Sequence, residues 1–518
     1  MNATPGMPEL IALIEHTAAD HAGSVIHFVD DAGSTETVTV SALVDRAKEI
    51  AASLRQLGLQ RRDVVAIRAS GGSRGAAEAI VACLVGGFVA VPLVSLLGDG
   101  DVDLIIEIID ARALLAERSI RGRDLTEHLA GVRDASTERV VGGIGTLEGD
   151  EEFALPRGDW APPSWAGIDA DDVATILFSS GTTGQPKGVM HSYSSVLHEV
   201  RDFADQLELT HGGCFMQTFP IGHIGGVAGL LIGVALGRET VMLSSWNAPV
   251  AFDAIDRHRV TGMGSTPYFA QTLLDERESR GSGLTSLRAV QSGGGAVGEE
   301  LVKRAHDLGI PISRGYGSTE HPSATTHRPD DPLEIRATTD GRPFNGTEVR
   351  IVDASGIDCP TGAVGEVWLR GPEQFIGYVS DAVEGLRDDG WFTTGDLGRM
   401  TESGHLVITG RLKEIIIRGG ENISVPEVEG LLLKHPAIRD AAVVGVADVK
   451  FGERAHAYLV VEPGTAVDLE TVRAHFAELG VARYKTPEFV TVIDGMPRNS
   501  LGKIQKHLLP RRREGLTS

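Results

Sequence analysis

Residues 179–188 read SSGTTGQPKG, which places three glycines, two threonines, two serines and a lysine within ten positions. Such a string can hold phosphate, because bare backbone approaches an anion closely, hydroxyls donate to its oxygens and an ammonium neutralises it. The Walker A spacing, G-x-x-x-x-G-K-[ST], begins to fit at Gly181 and Lys187 and then fails twice. Pro186 stands where the second glycine belongs and removes a backbone donor, and Gly188 replaces the hydroxyl residue that would ligate Mg²⁺. A P-loop NTPase is therefore disfavoured. A plain turn of the same composition stays open on this string alone.

Four further strings carry chemistry. SGGGAVG (292–298) offers bare backbone that can lie flat against a planar base. RGYGSTE (314–320) sets a ring, a hydroxyl and a carboxylate close together, in Tyr316, Thr319 and Glu320, as stacking a base, holding a phosphate and carrying Mg²⁺ require. GWFTTGDLG (390–398) puts Asp396 in an expected tight turn, where it could accept from both hydroxyls of a ribose, and PRNSLGKIQK (497–506) presents Lys503 on a mobile-looking loop. Singly, Glu320 reads equally as a surface acid, Asp396 as a turn-former and Lys503 as a solvated lysine.

The elements that must position these strings are α/β in pattern. Apolar runs at 64–70, 174–180 and 239–245 alternate with helical stretches such as 40–58, which predicts buried, largely parallel strands. SSGTTGQPKG leaves the end of one such strand, where α/β sheets place their ligand crevices. After about residue 330 short strands and turns suggest a small β-rich lobe, and after TGRLKE (409–414) alternating helix and strand suggest a compact α+β domain. The uncharged stretch 79–98 is long enough for a membrane span, yet Gly86, Gly87 and Pro92 favour a buried helix from Arg74 to Val85, a turn and a buried strand. No membrane span is expected.

A chain of 518 residues exceeds one hydrophobic core, so at least two domains are expected. Its formal net charge of −23 argues against nucleic acid or anionic membrane as partners and leaves small molecules. Cys83, Cys214 and Cys359 are too scattered for a disulfide framework or a metal site, and the N-terminus lacks the basic region of a signal peptide. A cytoplasmic location follows as the expectation, with a homodimer left open.

The five strings in this order resemble the adenylate-forming (AMP-binding) superfamily, acyl/aryl-CoA ligase branch, over about residues 24–508. The resemblance implies a large N-terminal part of two α/β lobes plus a small β-rich lobe (1–410), a hinge (411–413) and a mobile α+β lid (414–518). It implies ATP, Mg²⁺ and coenzyme A. Ser179, Ser180, Gly181, Thr182, Thr183, Gly184 and Lys187 would receive the ATP phosphates, and Thr183 and Glu320 would hold Mg²⁺. Tyr316 would stack on adenine among Gly294, Gly295, Ala296, Arg314, Gly315, Gly317 and Ser318, with Thr319 at the α-phosphate and Asp396 and Arg411 on the ribose. Lys413 matches the hinge, Gly419, Gly420 and Glu421 the thiol's entry path, and Lys503 the lysine that bridges the substrate carboxylate and the α-phosphate.

In that family the acid pocket lies around FPIGHIGG (219–226), with His223 between the acyl group and the thiol tunnel. No aspartate stands there to pair an α-amino group, so an amino acid is a poor candidate. Gly222, Gly225, Gly226, Gly293 and Gly294 remove side-chain volume, which suggests a bulky alicyclic, aromatic or medium-chain acid unless these glycines serve backbone packing. The strings at 265–276 and 369–378 look most like ligases for cyclohexanecarboxylate-type and aryl acids. Only 15 residues follow Lys503, so free coenzyme A is the expected acceptor and a separate carrier protein the alternative. A non-catalytic nucleotide-binding member should lack Glu320, Asp396, Arg411 or Lys503, and all four are present.

Overall fold

The computed structural model describes residues 7–21, 23–145, 152–163, 165, 167–180, 186–209, 212–328, 331–380, 385–418 and 421–509. Two seven-stranded sheets form the bulk of the N-terminal part. In the first, strands run in the order 312–314, 289–292, 260–265, 214–217, 239–243, 25–29 and 35–39, and every neighbouring pair except the last is parallel. In the second the order is 377–378, 186–192, 173–180, 89–93, 64–68, 113–116 and 140–143, parallel apart from the two pairs that involve 186–192.

One core joins the two sheets. Ile26 and Phe28 of the first sheet and Val65, Ile67 and Leu177 of the second bury into it together with Leu230 and Leu231 of the helix Ile224–Leu236. That helix is buried along nearly its whole length, as its sequence, IGGVAGLLIGVAL, requires of a helix apolar on all sides. The 79–98 stretch folds as read from its sequence: helix Arg74–Gly86 ends at Gly87, whose φ of +72° suits the left-handed cap, and strand Val89–Leu93 follows. Among the described residues no helix is long and apolar enough to cross a membrane.

A four-stranded antiparallel sheet, 348–352, 365–370, 392–400 and 406–411, forms the β-rich lobe. A five-stranded sheet beyond it carries strands 421–424, 415–418, 452–461, 438–448 and 489–492, packed against helices Val425–Leu432 and Leu469–Glu478 through Val428, Leu432, Val472 and Phe476. The architecture is the expected one: a large α/β N-terminal part followed by an α+β C-terminal domain. One local expectation is overturned. Asp396 lies within the strand Phe392–Met400 and pairs with Arg411 across the ladder; it is not in a tight turn. The turn-like residue before it, Gly395, has φ +71° and kinks the strand beside an irregularity in its pairing, so the string TTGD marks a bulged strand.

Candidate active site

The glycine-rich string joins two antiparallel strands, Val173–Ser180 and Pro186–Ser192, in which Ser179 opposes Lys187. A Walker loop runs into a helix, whereas Pro186 here opens a strand, so the departure seen in the sequence is also one of topology. Gly181, Thr182, Thr183 and Gly184 lie outside the described residues, as do Gly419 and Gly420. Lys187 Nζ lies 5.8 Å from the centre of the ring of Tyr378, which belongs to the strand paired with the other edge of 186–192.

Tyr316, Asp396 and Arg411 form one cluster. The Tyr316 hydroxyl donates to Asp396 Oδ2 at 2.6 Å, and Arg411 Nε donates to Oδ1 at 2.6 Å. The carboxylate is only 4% exposed, while the guanidinium stays half in solvent. Burial, then the neighbouring Asp396, holds the Tyr316 phenol well above its ordinary pKa, so it is a hydroxyl donor at any working pH. An ionised carboxylate has about four lone-pair sites. Two are therefore left to accept from a neighbouring pair of hydroxyls.

The segment after Tyr316 is tethered from behind. His191 Nε2 lies 2.8 Å from the Thr319 carbonyl, the Phe375 amide donates to the Glu320 carbonyl at 2.8 Å, and a Cβ on Gly317 would overlap the Pro322 carbonyl oxygen. Ser318 and His321 are joined by hydrogen bonds in both directions. Burial lowers the His191 pKa to about 4, so the ring is neutral. Glu320 Oε1 accepts from the Tyr378 hydroxyl at 2.9 Å, which fixes the carboxylate as an oxygen donor of the kind Mg²⁺ takes. Arg314 sits beside this segment with its guanidinium committed to Asp340, at 2.7 and 3.0 Å, and to the Ala337 carbonyl at 2.8 Å. Only its backbone is free to face a nucleotide.

Lys503 arrives from the C-terminal domain. Its loop is a tight turn in which Asn499 and Lys503 exchange backbone and side-chain hydrogen bonds, and Gly502 adopts φ +74° against Tyr268. Arg498, bonded to Asp440 and to the Gly502 carbonyl, lays its guanidinium 4.9 Å over the Tyr268 ring. This seats the loop on the N-terminal part. Lys503 is exposed, with Cε 3.8 Å from where a Cβ on Gly294 would stand. Partial loss of hydration and then Arg411 lower its pKa, while Asp396, Glu414 and Glu320 pull the other way. Glu421, in contrast, is exposed at the start of the strand Glu421–Ser424.

His223 stands at the N-cap position of the helix Ile224–Leu236 without a side-chain capping bond; burial and then Lys503 lower its pKa to about 4, and its Nε2 has no hydrogen-bond partner among the described residues. It is a neutral ring within electrostatic reach of Lys503. A Cβ on Gly222 would meet the Val94 amide at 2.8 Å, one on Gly225 the Phe219 ring at 2.9 Å, one on Gly293 the Gly315 carbonyl at 2.9 Å, and one on Gly226 would overlap the Pro220 carbonyl. These four glycines serve close packing. Gly294 and Gly295 have only contacts of 3.6 Å or longer, and both are exposed.

Sequence comparison now decides the family: the AMP-binding enzyme family matches residues 14–379, and the AMP-binding enzyme C-terminal domain matches 427–503. The chain belongs to the AMP-binding enzyme family. A medium-chain fatty-acid–CoA ligase of Escherichia coli (strain K12) is 40% identical over 345 residues, which are 65% of this chain and 61% of that protein. The "3-[(3aS,4S,7aS)-7a-methyl-1,5-dioxo-octahydro-1H-inden-4-yl]propanoyl:CoA ligase" of Mycobacterium tuberculosis (strain ATCC 25618 / H37Rv) is 34% identical over 90% of this chain and 92% of its own length. Among solved structures, o-succinylbenzoate CoA synthetase from Bacillus subtilis, in complex with its acyl-adenylate intermediate, superposes with a TM-score of 0.83 at 26% identity, covering 98% of this chain and 99% of that one. This AMP-binding enzyme is thus of the acid–CoA ligase class, whose substrates include ATP and coenzyme A.

The roles of two residues of the site escaped the sequence reading. Tyr378 and His191 hold Glu320 and Thr319 from 58 and 128 positions away; the string 369–378 includes Tyr378, but nothing local in it points to Glu320, and no string marks His191.

Proposed function

We propose that this AMP-binding enzyme converts a bulky alicyclic, aromatic or medium-chain carboxylate to its acyl-adenylate and then to the coenzyme A thioester. One observation carries the reading: Lys503 of the C-terminal domain stands at Gly294, in the field of Glu320, Asp396 and Arg411. Carboxylate attack on an α-phosphate brings two anions together, so the barrier is mainly electrostatic, and a fixed ammonium at that point lowers it. Tyr316 stacks on the adenine, Asp396 and Arg411 hold the ribose, and Thr319 and Lys187 bind phosphate oxygens. The residues that would hold Mg²⁺ are Glu320 and Thr183; when bound it neutralises phosphate charge.

Several features support the second half-reaction and the substrate class. In this reading residues 411–413 would be the hinge between an N-terminal domain of 1–410 and a lid of 414–518, and Gly419, Gly420 and Glu421 would meet the thiol after the lid turns. Neutral His223 separates acyl group from thiol. The lining strings 217–226, 262–268 and 291–295 contain no Asp or Glu, which disfavours a substrate ammonium, and the names of the relatives describe medium-chain and fused-ring acids. The free thiols Cys83, Cys214 and Cys359 fit a reducing cytoplasm.

A panel of carboxylic acids, assayed for pyrophosphate release with and without coenzyme A, tests the reading. The expected products are AMP, pyrophosphate and an acyl-CoA. Stoichiometric ADP overturns adenylation, and discharge only to a phosphopantetheinylated carrier protein replaces coenzyme A as the acceptor.

A further inference from the structure

A second cluster of chemistry-bearing side chains lies where strands of the first sheet begin, whereas the nucleotide-facing segments leave strands at their C-terminal ends. His27 belongs to the strand Val25–Val29, Glu239 opens the strand Glu239–Leu243 and His258 closes the helix Ala248–His258. One potential ligand atom from each lies within 4.8 Å of both of the others, and no other such group of three occurs among the described residues. His27 Nε2 is 3.1 Å from Glu239 Oε1, and the two imidazole rings lie 4.1 Å apart at 31°. All three line a surface concavity of about 450 Å³, whose wall also includes Cys214 and Thr261.

The surroundings of these groups match a metal site better than a structural hydrogen-bond cluster. His27 Nδ1 is held by Thr37 Oγ1 at 2.8 Å, which leaves Nε2 as the outward donor atom and fixes the ring plane, the outer-shell arrangement usual for ligating histidines. His258 Nε2 is shut away from solvent with no hydrogen-bond partner among the described residues. Two imidazoles and one carboxylate are a frequent three-ligand set for zinc. In a tetrahedral shell with bonds of about 2.0–2.2 Å the ligand atoms stand roughly 3.3–3.6 Å apart, so the His27–Glu239 pair is already near that spacing and small side-chain rotations bring in His258. Arg257 and Arg259 also line the concavity. Arg257 is drawn aside by the Gly33 carbonyl at 3.4 Å and Thr35 Oγ1 at 3.2 Å, and the two positive charges set an affinity below that of a closed four-ligand structural site.

We propose that His27, Glu239 and His258 form a site for one divalent transition-metal ion of the zinc class, with water completing its shell. The ion ties a strand, the start of a neighbouring strand and the end of a helix together, so its effect is on the stability of this sheet and not on the ligase reaction.

Tag-free protein, stripped with chelator, is titrated with Zn²⁺ by calorimetry and followed by thermal unfolding, with Mg²⁺ and Ca²⁺ as controls. The expected result is one saturable equivalent per chain and a rise in Tm of about 2–4 °C with Zn²⁺ alone. Glu239→Gln and His258→Gln change partly exposed side chains and keep the fold. Each is expected to weaken binding at least about tenfold and to abolish the Tm rise, with basal ligase turnover unchanged. The proposal is overturned if wild type shows no saturable equivalent, or if both variants bind Zn²⁺ as tightly as wild type does.

Discussion

Lys503 and Gly294 belong to different domains, and the lysine's Cε lies 3.8 Å from the place a Cβ on that glycine would occupy. Gly294 has φ +73°, so the turn that receives the lysine is one that few side chains would tolerate. The contact brings the lysine to the N-terminal part in the field of Glu320, Asp396 and Arg411, as the proposed first half-reaction requires.

Lys503→Ala is therefore expected to slow adenylate formation by ~10²–10³-fold, the loss associated with removing one preorganised charge-stabilising group. Thioester formation from presynthesised acyl-AMP should stay near the wild-type rate, because that step needs no charge at the α-phosphate attack point. Single-turnover assays of the two half-reactions check this. Equal slowing of both would contradict the assigned role.

Lys413 lies in the one-turn 3₁₀ segment Leu412–Glu414, where φ values near those of proline prevail. Lys413→Pro fixes φ at this position and is expected to oppose the torsional change that the proposed lid rotation requires. Adenylate should form at close to the normal rate and then accumulate, visible as an AMP-ester burst without acyl-CoA. A variant that blocks adenylation yet spares thioester formation would place the hinge elsewhere.

Tyr378 orients Glu320 through a 2.9 Å hydrogen bond and lies under the Lys187 ammonium. Hydrogen bonds to charged groups are worth about 1.5–3 kcal/mol, so Tyr378→Phe should lower kcat/KM for ATP by an order of magnitude or more and raise the Mg²⁺ concentration needed for half-maximal rate. Tyr378→Leu, which also removes the ring beneath Lys187, should cost more. A Phe variant with unchanged Mg²⁺ dependence would contradict a metal role for the Glu320 carboxylate that Tyr378 holds.

What the sequence disclosed, and what it hid, follows from the range of the forces involved. Strand runs such as 64–68 and 239–243 and the helix, glycine turn and strand of 74–93 are local hydrophobic patterns, and they fold as read. Asp396 was misplaced because Gly395 supplies the same signal for a bulge as for a turn. Composition also cannot distinguish a glycine that opens space from one that meets a backbone. Gly222 and Gly226 are pressed against Val94 and Pro220, whereas Gly294 is exposed, and only the folded chain separates the two cases. The roles of Tyr378 and His191 were invisible for the same reason, since each acts across a tertiary contact.

Next to the segment 315–320, His321 and Glu373 are fully buried, with Nδ1 3.3 Å from Oε1. Their charges do not simply pair. Burial lowers the histidine to about 3 and raises the glutamate to about 7, and Glu373 Oε1 is already held by the Thr347 hydroxyl at 2.7 Å. A carboxyl with a folded-state pKa above its unfolded value keeps its proton longer in the native state. Stability is then highest below the unfolded pKa, near 4.5, and is lost as pH rises toward 7. A shift of this size corresponds to roughly 3 kcal/mol. Glu373→Gln retains an oxygen to accept from Thr347 and has no proton to lose, so its unfolding midpoint should gain on that of wild type between about pH 5 and 7 and hold a constant lead above. Difference infrared spectra should also lose a protonated-carboxyl carbonyl band near neutral pH. Parallel pH profiles for the two proteins would show that Glu373 titrates alike in the folded and unfolded chain.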